Sequence, residues 1–266
     1  MTHLAIHGAA GRMGQRLVAL TLEDAKLALT AAVEGPGNPR LGEDAGVVAG
    51  ARKADVAITD AVPPGVAVNA MIDFSLPVGT RAVTPWCVKH AVPLVVGTTG
   101  LTADDEAMLD EAAKTIPLLK ASNFSLVVNV LNLLAAKAAQ LLGGDYDIEI
   151  LEAHHRFKKD APSGTAITLA RHICDATNRD FDQCIKFERH GDDVQRQPED
   201  ITIQALRIGD HVGEHTAYFA AMGERLEIKH VSTSRDSYAR GALRAAQWLT
   251  QQKPGRYEMT DVLGIK

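Results

Sequence analysis

The chain has 266 residues, of which 46% are hydrophobic and 23% charged, so it has the composition of an ordinary globular protein and the length of two modest domains. Its net charge of −5, without a block of Lys or Arg, argues against a nucleic acid or an anionic membrane as the main partner. Three cysteines without a CxxC spacing indicate neither a disulfide framework nor a zinc knuckle, and with no signal peptide or membrane span visible we expect a cytoplasmic protein.

Strands and helices alternate in the first half of the chain. From His3 to Leu126, short apolar runs alternate with amphipathic segments, as in βαβ units that form a parallel sheet. The predicted strands are Leu4–His7, Ala28–Val33, Ala70–Phe74, Pro93–Thr98 and Pro117–Ala121. The predicted helices are Gly11–Glu23, Pro77–His90 and Thr102–Thr115, the last with Thr102 and Asp105 as its capping pair. The fold class is therefore α/β, with a Rossmann-type doubly wound parallel sheet.

The pattern changes after residue 126. Apolar residues at steps of three and four predict a helix over Leu126–Leu142 that Gly143–Gly144 ends. The elements predicted after it are the strand Tyr146–His154, the helix Ser163–Thr177, the strands Ile201–Ile208, His215–Met222 and Leu226–Ser232, and the helix Arg235–Gln251. A hairpin is expected at Met222–Arg225. This region therefore predicts a second, α+β domain with a mixed sheet of its own.

A glycine-rich loop follows the first predicted strand. Gly8, Gly11 and Gly14 are spaced by three, although Ala10 stands where a strict GxGxxG motif has its second glycine. Such a loop brings backbone N–H groups to a pyrophosphate at a helix N-terminus. Glu34, at the end of the second strand, can accept hydrogen bonds from ribose hydroxyls. The loop alone also fits a simple tight turn, but the order strand, loop, helix, strand, acid predicts a nicotinamide dinucleotide site.

Two further features of this half concern the kind of ligand that it binds. No Lys-Ser or Lys-Thr closes a GxxxxG motif at the loop, which excludes a P-loop kinase. Gly97–Gly100 comes at the end of a later strand, where open α/β sheets bind ligands. An ordinary strand-to-helix turn explains that segment equally well.

The most polar segment is Glu152–Thr165, between a predicted strand and a predicted helix. It carries five basic or imidazole side chains within six positions. Ser163, after Pro162, has the pattern of a helix start whose amides can bind an anion. With His155, Arg156 and Lys158 it predicts a pocket for a small carboxylate-bearing molecule, and a solvated charged loop is the alternative.

The sequence does not support a zinc peptidase site or a serine hydrolase site. His211–His215 matches the H-x-x-E-H pattern of a zinc peptidase group, which works on a helix. Gly213 and its β-type neighbours predict extended chain, where the two histidines would lie roughly 13 Å apart, so we expect no metal site. The chain has no G-x-S-x-G motif, which argues against a serine hydrolase.

Together these motifs resemble the dihydrodipicolinate reductase family, the 4-hydroxy-tetrahydrodipicolinate reductases of the diaminopimelate route to lysine. The resemblance covers nearly the whole chain and is most specific in the run from His154 to Thr165. The matching segments are Gly8–Gly14 (GAAGRMG), Ile72–Ser75 (IDFS), Val96–Gly100 (VGTTG), Ser122–Val130 (SNFSLVVNV), Glu152–Ala166 (EAHHRFKKDAPSGTA) and Val212–Ala217 (VGEHTA).

The resemblance implies an enzyme that reduces a small cyclic dicarboxylate with hydride from NADH or NADPH. It implies a dinucleotide-binding domain formed by residues 1–125 with 235–266, and a domain for substrate binding and oligomerisation formed by residues 126–234. It also implies a homotetramer. We expect no nucleic acid and no membrane among its partners.

The same resemblance assigns roles to individual residues. His154 corresponds to the proton donor and Lys158 to a second acid. His155 and the amides of Gly164 and Thr165 correspond to the groups that bind the substrate carboxylates. The corresponding cofactor contacts are Gly8, Ala9, Ala10, Gly11, Arg12, Met13, Glu34, Gly97, Thr98, Thr99, Ala121, Ser122, Asn123 and Phe124.

One departure from the family pattern concerns the choice of cofactor. Gly35 follows Glu34, where several relatives have an arginine suited to the 2′-phosphate of NADPH. We therefore predict a preference for NADH, unless Arg40, Arg52 or Lys53 supplies the missing cation.

Two rival functions are weighed against this one. Another small Rossmann reductase with a similar two-domain plan could act on an amino-acid or semialdehyde substrate. A dinucleotide-sensing regulator would use the Rossmann half but would have no use for His154 and Lys158.

Overall fold

The computed structural model describes residues 1–264, which fall into two compact units. The first unit comprises Met1–Leu126 and the segment that starts at Arg235, and the second comprises Val127–Ser234. The chain thus leaves the first unit after Leu126 and returns to it at Arg235.

Within residues 1–264 the chain forms twelve strands and nine α-helices. The strands are β1 (Thr2–His7), β2 (Leu27–Val33), β3 (Ile58–Thr59), β4 (Ala70–Asp73), β5 (Leu94–Val96), β6 (Pro117–Lys120), β7 (Asp147–His154), β8 (Ile185–Lys186), β9 (Ile201–Arg207), β10 (Gly213–Ala221), β11 (Glu224–Ser232) and β12 (Gly255–Tyr257). The helices are α1 (Arg12–Glu23), α2 (Ala45–Val48), α3 (Pro77–His90), α4 (Ala103–Ala113), α5 (Leu126–Leu142), α6 (Gly164–Thr177), α7 (Phe181–Cys184), α8 (Asp236–Leu249) and α9 (Met259–Val262).

The first unit is built on a seven-stranded sheet in the order β12-β6-β5-β4-β1-β2-β3. All of its described strand pairs are parallel. The strand order reverses between β1 and β4, so that β2 and β3 continue on one side and β5 and β6 on the other. Open α/β sheets bind ligands at such a switch point, beside the carboxyl ends of the strands. The predicted Rossmann-type fold is therefore confirmed.

Apolar side chains on both faces of the strands explain why helices cover the sheet on both sides. Leu4 and Ile6 belong to a core with Leu17 of α1 and Ala242 of α8. Ala5 belongs to the core of the opposite face, which α3 and α4 complete. Helix α8 packs closely against the backbone of Phe124, in the segment after β6. A Cβ added to Gly241 of α8 would lie 1.8 Å from the Phe124 carbonyl oxygen.

The second unit has a mixed five-stranded sheet in the order β11-β10-β7-β9-β8. Strands β7 and β10 are antiparallel, whereas β7 and β9 are parallel. Helices α5 and α6 pack on one face, since Leu131 and Leu169 share a core with Ile150 and Phe219. The predicted α+β domain with a mixed sheet is thus confirmed.

The predicted elements differ from the observed ones mainly at their ends. Helix α3 has its predicted bounds, and α4 has the predicted capping box of Thr102 and Asp105. Phe74, Thr98 and Ala121 were predicted as strand ends but lie in the loops that follow β4, β5 and β6. The sequence patterns missed the short elements, which are β3, β8, β12, α2, α7 and α9. Helix α5 has its predicted bounds, and a 3-10 turn over Gly143–Asp145 follows it.

One segment of the described chain, Leu126–Asp145, is long and apolar enough to cross a membrane, with a mean hydropathy of 1.5. The core helix of a soluble protein meets the same criterion. Leu131, Ala135 and Ala139 on this segment are buried in the core of the second unit.

Candidate active site

The glycine-rich loop lies at the switch point of the first sheet. Gly8 has φ +79°, and a Cβ there would be 2.6 Å from the Phe74 carbonyl oxygen. A Cβ on Gly14 would be 2.0 Å from the Gly8 carbonyl oxygen. Glycine is therefore needed at both positions. Helix α1 begins at Arg12, and its N-cap, Gly11, makes no side-chain cap. This leaves the first-turn amides of α1 for a bound anion, which fits a dinucleotide pyrophosphate.

Glu34 lies beside the loop, as the sequence predicted. One carboxylate oxygen accepts a hydrogen bond from the Ala10 amide at 2.8 Å, and the other accepts one from the Gly35 amide at 3.2 Å. A cavity of about 250 Å³ opens here, with Gly8, Gly11 and Phe74 among the lining residues. Glu34 and Gly35 also line it, so the carboxylate can reach a ligand in this cavity.

Asp73, at the end of β4, is a fully buried carboxylate that joins three strand ends. It accepts hydrogen bonds from His7 Nδ1 at 2.9 Å, Thr80 Oγ1 at 2.5 Å and Thr98 Oγ1 at 3.0 Å. Ser75 Oγ donates a further bond at 2.6 Å. Burial alone would raise the pKa of Asp73, but the hydrogen bond and charge of His7, with the bonds from Ser75 and Thr80, lower it. The carboxylate thus stays ionised.

The other predicted cofactor residues follow β5 and β6. The Phe74 ring packs against Gly97, where a Cβ would be 2.4 Å from the ring, and lies 5.3 Å from the buried Phe124 ring. The Ala121 amide donates to the Val96 carbonyl at 3.2 Å. The predicted cofactor residues therefore lie in the loops that follow β1, β2, β5 and β6, at one edge of the sheet, and in the first turn of α1.

The second unit places Glu152 and His154 on the same face of β7. Glu152 is fully buried, and its Oε2 accepts a hydrogen bond from His154 Nδ1 at 2.6 Å. Arg207 of β9 donates to both carboxylate oxygens at 2.9 Å, and the Ser163 amide donates to Oε1 at 2.9 Å. Burial alone would raise the pKa of Glu152, but the bonds from His154 and Arg207 lower it to about 2.

Lys158 and His155 lie in the loop between β7 and α6. Lys158 Nζ contacts the Asp160 carboxylate at 2.8 and 2.9 Å, which lowers the pKa of Asp160. His155 Nδ1 is buried and has no hydrogen-bond partner within residues 1–264. Helix α6 begins at Gly164, as predicted, and its N-cap Ser163 accepts a bond from the Ala166 amide at 3.2 Å.

The two histidines of the H-x-x-E-H pattern lie in different surroundings. His215 belongs to β10, and His211 precedes that strand, so the motif lacks the helix that a zinc site of this kind needs. His211 contacts Glu214 at 3.0 Å, whereas His215 is buried with its Nε2 3.1 Å from Ser163 Oγ. Burial and then the nearby His154 lower the pKa of His215 to about 3.

The sequence patterns do not identify Asp73, Glu152, Arg207 and His215 as parts of these two sites. A signal exists for Glu152, because it precedes His154 by two residues and so shares its face of a strand. Arg207 is paired with His154 in the parallel register of β7 and β9. That pairing joins residues 53 positions apart, which no local pattern in the sequence indicates.

Family models and individual relatives both match the chain over nearly its full length. The model for the dihydrodipicolinate reductase N-terminus matches residues 2–124, and the model for its C-terminus matches residues 127–263. The chain belongs to the dihydrodipicolinate reductase family.

Relatives of this family are similar from end to end. The 4-hydroxy-tetrahydrodipicolinate reductase of Syntrophotalea carbinolica is 45% identical, with all of both chains covered. That of Alkalilimnicola ehrlichii is 46% identical over 99% of each chain. A dipicolinate-bound dihydrodipicolinate reductase from Paenisporosarcina sp. TG-14 has the same fold, with a TM-score of 0.74, 21% identity and 98% of each chain covered. These matches confirm the predicted family and its class, an NAD(P)H-dependent oxidoreductase.

We predict that Asp73→Asn destabilises this reductase at neutral pH by about 2 to 4 kcal/mol, because an amide cannot accept the bonds of both carboxylate oxygens. The folded-state pKa of Asp73 is lowered, so its stabilisation is complete above the ordinary carboxyl pKa and is lost as pH falls through the folded value. The midpoint of urea unfolding, measured against pH, tests this. Asp60→Asn, at an exposed carboxylate of the same unit, is the control. Equal midpoints for the two variants would contradict the prediction.

Proposed function

We propose that this chain reduces 4-hydroxy-tetrahydrodipicolinate to tetrahydrodipicolinate in lysine biosynthesis through diaminopimelate. The observation that carries the proposal is its identity of 42 to 46% with full-length relatives that bear the name of this reductase. The geometry of the second unit supports it, because an imidazole, an ammonium group and a helix N-terminus lie together around one short loop. We also propose that it works in the cytoplasm.

The overall reaction adds a hydride and a proton, and the 4-hydroxyl group of the substrate leaves as water. The nicotinamide, when bound, supplies the hydride. His154 supplies the proton, because a protonated imidazole can act as a general acid. Lys158 acts as a second acid and stabilises negative charge that develops on the substrate. Its Asp160 partner holds the ammonium group within this loop.

The substrate carboxylates bind at His155 and at the first turn of α6. The unpaired Nδ1 of His155, noted above for the described chain, can donate to a carboxylate oxygen. The amides of Gly164 and Thr165 lie at the N-terminus of α6, where partial positive charge favours an anion. A dicarboxylate therefore has donors for both of its ends.

In a coupled assay that supplies freshly made dihydrodipicolinate synthase product, we expect the protein to oxidise NADH. His154→Ala and Lys158→Ala should each lower kcat about 100-fold or more while the KM for NADH changes less than about threefold, because both groups act on the transition state. Steady-state kinetics of each variant measure this. Lys159→Ala, at the exposed neighbour, is the matched control. The assignment is wrong if the folded protein gives no turnover, and the residue roles are wrong if both variants keep their kcat.

We propose that the enzyme prefers NADH to NADPH. Glu34 places a carboxylate beside the ribose position, which disfavours a 2′-phosphate, and Gly35 brings no charge to offset it. The three nearby cations are engaged elsewhere. Arg40 pairs with Glu43 at 3.0 Å, Lys53 pairs with Asp55 at 2.6 Å, and Arg52 donates to the Leu22 carbonyl at 3.1 Å.

Gly35→Arg should raise kcat/KM for NADPH about tenfold or more relative to NADH, because an arginine can pair with the 2′-phosphate. The site accepts a side chain, since a Cβ on Gly35 would meet no other atom of the described chain within 4 Å. Gly35→Gln adds similar bulk without charge and should leave the ratio nearly unchanged. A wild-type enzyme that strongly prefers NADPH would overturn the proposal.

We propose that the protein is a homotetramer assembled through its second unit. The face of the sheet opposite α5 and α6 carries Leu206 and Val231, which are 47% and 49% exposed. A subunit packed on this face would remove both apolar side chains from water.

The tetramer predicts a mass of about 114 kDa, four times the chain mass of 28.5 kDa. Light scattering during size-exclusion chromatography measures it. Leu206→Glu with Val231→Glu should lower the mass to that of a smaller species, because two charges would be buried without partners. Leu141→Glu changes an exposed leucine on α5 and is the control. A monomer at micromolar concentration would contradict the proposal.

A further inference from the structure

Glu152 is a buried carboxylate whose contacts all serve the residues around the proposed proton donor. Its Oε2 accepts bonds from His154 Nδ1 and from one Arg207 nitrogen, and its Oε1 accepts bonds from the other Arg207 nitrogen and the Ser163 amide. These four bonds range from 2.6 to 2.9 Å. Every neighbour is a donor, so the carboxylate must remain an acceptor at each oxygen.

These contacts determine which ring nitrogen of His154 carries a hydrogen when the imidazole is neutral. An ionised carboxylate has no hydrogen to donate, so the 2.6 Å contact requires a hydrogen on His154 Nδ1. That hydrogen stays in place whether the imidazole is neutral or charged. The nitrogen that gains and loses a proton is therefore Nε2.

We infer that Glu152 is a positioning residue for the reduction: it holds His154 in the tautomer that leaves Nε2 to deliver the proton, and it ties that imidazole to the loop and helix that bind the substrate. The inference rests on the proposed role of His154 as proton donor. In serine hydrolases a buried carboxylate acts in the same way: it accepts a hydrogen bond from Nδ1 of the catalytic histidine and fixes its tautomer and orientation.

Arg207 and Ser163 extend this role from the histidine to the rest of the site. Arg207 also donates to the Asp160 carbonyl at 2.6 Å, and the Asp160 carboxylate in turn holds Lys158. Ser163 is the N-cap of α6, whose first turn provides the proposed carboxylate-binding amides. One buried charge thus fixes the imidazole, the lysine loop and the helix N-terminus relative to one another.

The amide variant Glu152→Gln tests the inference directly. Each oxygen of Glu152 faces an Arg207 N–H, so an amide NH₂ at either position opposes a donor. We expect kcat to fall about 100-fold while the KM for NADH changes less than about threefold. Glu149→Gln, on the opposite face of the same strand and also paired with an arginine, is the matched control and should keep its kcat.

The pH profile gives a readout that a general loss of structure would not produce. His154 must be protonated to act. It contacts the Glu152 carboxylate, which Arg207 also contacts, and its ring lies edge-on to the His215 ring with 5.3 Å between the ring centroids. Removing the negative charge of Glu152 favours the neutral imidazole. The alkaline limb of kcat should therefore move to lower pH in Glu152→Gln, and the limb of Glu149→Gln should stay in place.

The tautomer of His154 can also be measured in the wild-type protein, so this test does not require Glu152→Gln to fold. Long-range ¹H–¹⁵N correlation spectra of histidine-labelled enzyme at alkaline pH should show the Nδ1–H tautomer for His154, assigned by its loss in His154→Asn. An Nε2–H tautomer would overturn the inference. So would full kcat in Glu152→Gln when His154→Asn is inactive. Full kcat in His154→Asn would instead overturn the proposed role of His154 as proton donor, and a folded wild-type protein without turnover would overturn the proposed function.

Discussion

The second unit depends on keeping one negative charge in its interior. An ionised carboxylate is costly to remove from water unless donors replace the lost hydration, and breaking such a buried pair typically costs about 3 to 5 kcal/mol. Glu152 has four donors, drawn from β7, from β9 and from the N-cap of α6. These three elements meet at the Glu152 carboxylate. The same hydrogen bonds therefore stabilise the fold of the unit and fix the geometry of the proposed substrate site.

Asp73 has the same relation to the first unit. It ends β4 and accepts bonds from the end of β1, from α3 and from the loop after β5. Two of these segments, the end of β1 and the loop after β5, lead into or carry predicted cofactor contacts. In both units, therefore, a buried carboxylate at or near the end of a strand joins segments that lie beside the predicted ligand-binding residues.

Much of the fold could be predicted from the sequence, because long apolar periodicities determine the long elements. Helix α3 and the capping box of α4 are examples, since Pro77 and the Thr102–Asp105 pair are local signals. Short elements such as β3 and β12 could not be found, because two or three residues do not form a period. The glycine loop and the run from His154 to Thr165 were found through motifs. Arg207 was not, because its contact with Glu152 depends on the pairing of strands distant in the sequence.

Helix α8 lies more than one hundred residues after β6, yet it covers one face of the first sheet. Ala239, Ala242, Ala245 and Leu249 belong to the same core as Leu4 and Ile6 of β1. During synthesis the ribosome releases the whole second unit before this helix emerges. Until then, the part of the first-unit core that α8 covers is exposed to water. Exposed apolar surface of this kind favours aggregation, and the second unit can already fold during this time. The core of the first unit can therefore be completed only after the second unit has been synthesised, and a chain that stops early would lack part of that core.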